Sequence, residues 1–337
     1  MLKQHKYHDI YLADGLKKNF ISEDTTFTKS YGLSMSVKML NKSQVSNDAV
    51  RFQSMLNHIE GDGYIFTDSD DITFKSIDLF YLRSKINNHI SVGVDAGMFS
   101  ISQHEKKYNG IRYGTSLVYD NFSLRLGMNS YDDFSEFVPT LKYTNVYKEH
   151  SYVLEYTRQN ALFYTYSLIP YEKKIVANHF SATDYIVFNN KTNLWANLEV
   201  NLFSNNDTEV TGQFDWVFYK NNYWTPKFTY TLALEGWYTS HSLQHDDFYS
   251  PSFADATMIR FNPQYIFSKY LGVHGQIGTG YSVVDQTIPY KYGLWLFGNP
   301  INNLNYNMGC LKSNAARLSY GGDYHYQECK ATLGYSW

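Results

Sequence analysis

The sequence is short of several things. It has two cysteines, seven prolines and 18% charged residues in 337, against about 25% charged in an ordinary soluble domain. No stretch approaches the ~20 consecutive apolar residues a membrane helix requires, which excludes helical spans. Net charge is −3 and the isoelectric point is near 6.4, so a nucleic-acid footprint is absent. No charged n-region, apolar h-region and cleavage site opens the chain. An exported protein needs such a signal, and the expectation is that Met1 begins inside a longer product. The remaining lack is of hydropathy itself, with a mean of −0.42.

Aromatic residues are plentiful: 32 Tyr, 22 Phe and 6 Trp, or 18% of the chain. Tyrosine is apolar along its ring and polar at its tip, so it enriches membrane–water interfaces without raising mean hydropathy. In ECKATLGYSW (328–337), Cys329, Ala331, Leu333, Tyr335 and Trp337 fall on one face and polar residues on the other, the period of a half-apolar strand. TEVTGQFDWVFY (208–219), PKFTYTLALEGWY (226–238), NLWANLEVNLF (193–203), FSLRLGM (122–128) and HISVGVDAGMF (89–99) repeat it. Many such segments with aromatic enrichment predict an all-β fold, a transmembrane antiparallel β-barrel in the bacterial outer membrane. A β-sandwich is the alternative, though it would not need so many aromatics facing one way.

Tight connections are expected at Asn87-Asn88, Asp120-Asn121, Lys148-Glu149, Asn189-Asn190-Lys191 and Ser313-Asn314, and longer links at 60–71, 168–177, 240–253 and 283–302. Short periplasmic turns and long outer loops suit a barrel. The strand tally is 17. An even number follows if 27–40 lies outside the wall (16) or if 5–20 adds a strand (18). Residues 1–26 read as lead-in, linker or extra strand and 27–337 as the barrel. The loop 283–302, with Tyr290, Tyr292, Trp295 and Phe297, is expected to narrow the pore mouth.

The last third carries a resemblance. FYSP (248–251), a strand at 254–267, a turn at Ser268-Lys269, the glycine-rich LGVHGQIGTGYS (271–282), a long loop, and a hairpin before the closing strand follow in order. This resembles the C-terminal barrels of the exopolysaccharide export porins, which secrete cellulose, poly-N-acetylglucosamine or Pel behind periplasmic tetratricopeptide repeats. The resemblance implies 16 strands, a secreted polysaccharide as cargo, and a helical-repeat region or modifying enzyme of the same system as partner. Separately, the terminal aromatic resembles the C-terminal signal by which outer-membrane proteins are recognised for assembly.

On this reading the lumen receives Asp95, Glu155, Glu199, Glu209, Asp215 and Glu235, with Arg112, Arg125, Lys142, Arg260 and Arg317, and Trp195 and Trp237 as inward aromatics. Aromatic faces stack on sugars, and carboxylates and amides bond to hydroxyls. Repeated weak contacts let a chain leave as readily as it enters. The plainer reading is that these are solvated or paired wall residues. The clustering of Glu199, Glu209, Asp215 and Glu235 on three consecutive strands favours a path for a neutral or cationic polymer.

Catalytic features are thin. His241, His245, Asp246 and Asp247 sit together in SHSLQHDDFYS without the spacing of a zinc site, and His104 and His245 lack a nucleophile motif. No catalytic residue, metal or cofactor is expected; an outer-membrane enzyme of lipase or protease type and a general diffusion porin stay open as alternatives. Cys310 and Cys329 are expected near opposite rims, free and lipid-facing, because eight residues of strand separate Cys329 from the chain end.

Overall fold

Alternation along each segment sorts its side chains between two environments. In the strand over 193–203, Trp195, Asn197, Glu199 and Asn201 are buried or half-buried while Leu198 and Leu202 are exposed. In a sheet closed on itself, the exposed apolar face of every strand turns outward and the buried polar face turns into the barrel. The computed structural model describes residues 57–83, 90–165, 167–189, 192–225, 227–244, 250–268, 270–299, 304–314 and 324–336.

Sixteen antiparallel strands form the wall: β1 His58–Asp68, β2 Ile72–Arg83, β3 Ile90–Gln103, β4 Lys106–Tyr119, β5 Phe122–Tyr131, β6 Ser135–Tyr147, β7 His150–Asn160 and β8 Val176–Val187. The second half is β9 Asn193–Phe203, β10 Thr208–Thr225, β11 Phe228–His241, β12 Ala254–Ser268, β13 Leu271–Tyr281, β14 Tyr290–Gly298, β15 Leu304–Ser313 and β16 Tyr326–Ser336. Each pairs with its sequence neighbour, and β1 pairs with β16 to close the ring, His58 opposite Ser336. Closure leaves no edge, so every strand is paired on both sides.

The outward face is apolar. Ile77 (65% exposed), Ile277 (62%), Leu294 and Leu333 belong to a band that water would not tolerate and lipid does. Aromatics flank it. Tyr119, Phe122, Tyr147, Phe188 and Phe267 are exposed beside the connections at the end that holds the C-terminus. Phe137, Phe180, Phe253, Tyr281 and Tyr292 are exposed toward the opposite end. A closed barrel with an apolar band between two aromatic girdles is an outer-membrane barrel.

The connections differ between the ends. Those at the end holding the C-terminus include two-residue turns such as 120–121 and 148–149, where Asp120 (φ 48) and Lys148 (φ 54) adopt the left-handed backbone such turns use. The other end carries the connections 161–175, 242–253, 282–289 and 314–325. Short turns mark the periplasmic end.

Four expectations are corrected. Residues 60–71 are not a long link, since β1 runs to Asp68 and only 69–71 connect it to β2. The segment 283–302 is not a mouth loop, because β14 occupies 290–298 within it. Tyr292, Leu294 and Leu296 point out and Trp295 and Phe297 point in, so both faces are apolar and the period is hidden. Ser313-Asn314 is not a periplasmic tight turn but opens the outer connection 314–325. That error displaced Cys310. It lies directly opposite Cys329, with Cα atoms 4.0 Å apart, and the two form a disulfide on the outward face. Residues 5–20 and 27–40, the proposed boundary at 26/27 and Arg317 lie outside the described residues.

Candidate functional site

The interior divides into two regions. Near the outer end, the connection 161–175 turns into the barrel mouth as two short helices, α1 Leu162–Thr165 and α2 Leu168–Glu172. Ser167 caps α2, its hydroxyl accepting from the Ile169 N–H. Leu162, Phe163, Leu168 and Tyr171 are buried with Phe66, Phe74, Phe99, Tyr131, Trp295 and Tyr326 of the wall. Phe163 meets Phe99 edge-on at 5.5 Å, and Tyr171 meets Tyr108 at 4.4 Å and Tyr131 at 5.3 Å. Polar ties fix the segment. Tyr171 donates to Asp133 Oδ1 (2.6 Å), and Lys106 Nζ and Tyr108 donate to Glu172 Oε1 (2.6 and 3.1 Å). Burial pushes the Tyr171 hydroxyl above its usual range, so it stays a donor. The segment that narrows the mouth is therefore 161–175.

Lower in the wall the lining is polar. Asp215 on β10 faces Glu235 on β11 in register, and Arg260 of β12 pairs with both, its Nη1 donating to Glu235 Oε2 at 2.7 Å. Lys291 of β14 also donates to Glu235. Glu199 accepts from Asn197 Nδ2 (2.6 Å). Glu209 accepts from Asn201 Nδ2 (2.7 Å) and from the Thr211 and Thr239 hydroxyls (3.2 Å each). The four carboxylates share the inward face of β9–β11: Asp215 and Glu235 are gripped by Arg260 and Lys291, whereas Glu199 and Glu209 take amide and hydroxyl donors, with His241 Nε2 3.8 Å from Glu209.

The remaining anticipated residues within the described part also face inward. Arg112 pairs with Asp78 across the intervening strand, and Arg125 Nε and Nη2 grip Asp95 at 2.9 and 2.5 Å. Lys142 and Glu155 lie 3.7 Å apart. Trp195 is buried against Tyr185, and Trp237 is half-buried on the inward face of β11. Sequence reasoning passed over Asp78, Lys291 and the loop aromatics. Lys291 falls within the expected loop 283–302, and ALFYTYSLIPYE reads as a short apolar run without a strand's period.

His241 is buried at the outer end of β11, with Nδ1 2.7 Å from Asp207 Oδ2 and Nε2 3.8 Å from Glu209. Burial works to raise the Asp207 carboxyl; donors from His241, Leu243 N and Ser242 outweigh it and leave it below the usual value. His245, Asp246 and Asp247 lie outside the described residues, and among those described no group of three or more His, Cys, Asp or Glu could hold a metal.

No family model matches the chain, and no curated protein matches it. Solved structures do. A bacterial polysaccharide outer membrane secretin superposes with a TM-score of 0.69 at 10% identity, over 84% of this chain and 99% of that one. CdiB from Acinetobacter baumannii gives 0.48 at 7%, over 83% and 60%. OpdK from Pseudomonas aeruginosa with vanillate gives 0.40 at 10%, over 84% and 98%. At such identities the likeness is one of fold: a closed 16-stranded outer-membrane barrel.

Proposed function

We propose that the barrel exports a neutral or cationic polysaccharide through its lumen and does so without catalysis. The observation that carries this reading is the lining of β8–β12. There, Asn197, Asn201, Thr211, Gln213, Thr231, Thr239 and Asn262 set amides and hydroxyls among the carboxylates, with the half-buried Trp237 as a sugar-stacking face. Each is a weak, exchangeable partner for a hydroxylated chain. The likeness to a polysaccharide secretin over nearly that protein's whole length supports the same cargo class. A periplasmic helical-repeat region or a modifying enzyme of the same system would deliver the polymer to the short-turn end. Single-channel recording in a lipid bilayer tests the reading. Neutral and partly deacetylated oligosaccharides are expected to interrupt the current in a length-dependent way, and an acidic oligosaccharide of equal length to do so far less. Equal indifference to all three would mean a diffusion porin.

A further inference from the structure

On one part of the inner wall, hydrogen-bonding groups are left over. Gln264 of β12 and Gln276 of β13 lie on the inward face and are buried. Among the described residues, neither side-chain amide has a hydrogen-bond partner at its oxygen or at its nitrogen. Gln159 and Asn160, by comparison, are each unmet at one atom only. A buried amide unmet at both ends is costly, and here two stand close together. Gln264 faces His274 across the sheet, and Gln276 is two residues further along β13. Their neighbours are committed elsewhere. Asn262 donates to Thr231 Oγ1 at 2.9 Å, and the His274 ring lies parallel to the Trp295 indole at 4.6 Å.

Glycines shape the space beside the two amides. Gln276 has Gly278 as its next inward neighbour and Gly293 opposite. A Cβ at Gly278 would meet its nearest atoms at 3.4 and 3.5 Å, ordinary contact, so the wall has room there for a side chain and carries none. The Trp295 indole lies over Gly293 and Gly309, where a Cβ would come within 2.2 Å of the ring at each. The recess is thus bordered by two neutral amides, a flat aromatic edge and, on the rung of Gly278, Arg260 and Lys291. Those two cations hold Asp215 and Glu235, so the recess offers an ammonium no spare counter-charge.

We propose that this recess is a subsite for the acetamido group of an N-acetylated amino-sugar unit in the lumen; the proposal rests on the export reading above and narrows it. A trans secondary amide carries its N–H and its C=O on opposite edges. One glutamine nitrogen donates to the acetamido oxygen, and the other glutamine's oxygen accepts from its N–H. The spacing agrees. Diagonal neighbours on adjacent strands have β-carbons roughly 7 Å apart, and side chains standing off the sheet keep that spacing. An amide about 2 Å across, with a hydrogen bond of about 2.9 Å at each edge, spans about 8 Å. A hydroxyl bridging the same pair spans only about 5.5 Å. The acetyl methyl falls against the Trp295 and His274 rings, which take apolar carbon.

Single-channel recording with three β-linked hexasaccharides tests it: one of N-acetylglucosamine, one of glucose and one of glucosamine. The acetylated hexamer is expected to interrupt the current about tenfold longer per event than the glucose hexamer, the worth of one to two neutral hydrogen bonds. Gln264→Met with Gln276→Met keeps the side-chain length and removes both amides. It should abolish the acetylated advantage and leave the glucose events as they were. Gln276→Glu, of equal size, should shorten the acetylated events and lengthen those of the glucosamine hexamer. A variant that carries current is folded; should the double variant fail to insert, either single Met change is expected to remove most of the advantage. Equal event lengths for the acetylated and glucose hexamers, or an advantage that survives the loss of the amides, would overturn the subsite and leave the export reading standing. Silence toward all three hexamers would remove the export reading itself, and the subsite with it.

Discussion

The outer mouth and the middle of the lumen solve the same packing problem in opposite ways. At the mouth, 161–175 fills the bore with aromatic rings, and the wall beneath replies with Phe66, Phe74, Phe99 and Tyr131. In the middle, Arg260 and Lys291 neutralise Asp215 and Glu235, while Glu199 and Glu209 rest on amides and hydroxyls. The first region excludes water by contact. The second keeps polar groups that water or a sugar could replace. On the proposed reading, apolar packing would set the opening of the lumen and polar lining its selectivity, and each half can be broken separately.

The largest effect is expected in the charged half. Arg260→Met leaves Asp215 buried without its guanidinium partner and Glu235 with Lys291 alone. Losing one partner of a buried ion pair costs about 3–5 kcal/mol, and urea unfolding of the barrel in lipid measures it. A loss below about 1 kcal/mol would mean that the network is hydrated and only loosely coupled.

The apolar half breaks at its loop. Phe163→Ala removes the ring that meets Phe99 and leaves Tyr171 as the chief remaining anchor. A buried Phe→Ala change costs about 3–5 kcal/mol in a rigid core, but a surface loop can undock instead of unfolding the barrel. The readout is therefore conductance, expected to rise several-fold, with the barrel's unfolding midpoint little moved. An unchanged conductance would place the constriction elsewhere.

The disulfide sharpens the comparison, since it clips the hairpin that borders the aromatic cluster. Cys310 and Cys329 are 19 residues apart in sequence, and a link closing a loop of this size is worth about 3 kcal/mol in the chain-entropy account. Reduction, or the Cys310→Ser/Cys329→Ser pair, should lower barrel stability by that order while leaving conductance unchanged. A stability difference under about 0.5 kcal/mol would show that barrel closure already holds this register.

These contrasts mark what the amino-acid pattern reveals and what it conceals. Where one face meets lipid and the other the lumen, as in β9, β10 and β11, the period of two is plain, and the inward placement of Glu199, Glu209, Asp215 and Glu235 follows from it. Where both faces are apolar the period vanishes, which turned β14 into a loop. Long-range pairing is the other blind spot. The partners of Arg260 sit 25 and 45 residues away and depend on register, and the cysteine pair depends on the length of a connection that composition alone does not set.

A smaller effect concerns the two carboxylates that take amide and hydroxyl donors. Glu199→Gln with Glu209→Gln removes both negative charges while keeping amide acceptors in their place, and should reduce cation selectivity while the barrel stays folded. The same exchange at Asp215 and Glu235 would instead uncover Arg260 and Lys291 and push selectivity toward anions. Identical outcomes from the two pairs would erase the distinction drawn between them.

The smallest effect is a matter of pH at the mouth. The hydrogen bond from Lys106 holds the Glu172 carboxyl below its usual value, with Tyr108 adding a second donor. A carboxylate with a lowered value in the docked state favours docking fully above its undocked value and loses that contribution as pH falls through the lowered one. An undocked glutamate titrates near pH ~4.3, so the tie is intact at neutral pH and weakens below that range. Glu172 is solvent-facing and its pair is screened, so the shift is modest and salt-sensitive. Channel openings should lengthen between pH 5 and 3 in the native barrel and less so in Glu172→Gln, where the ammonium of Lys106 already lacks its carboxylate. If both barrels respond alike, the acid effect arises elsewhere, and the aromatic contacts of Phe163 and Tyr171 hold the loop without help from the ion pair.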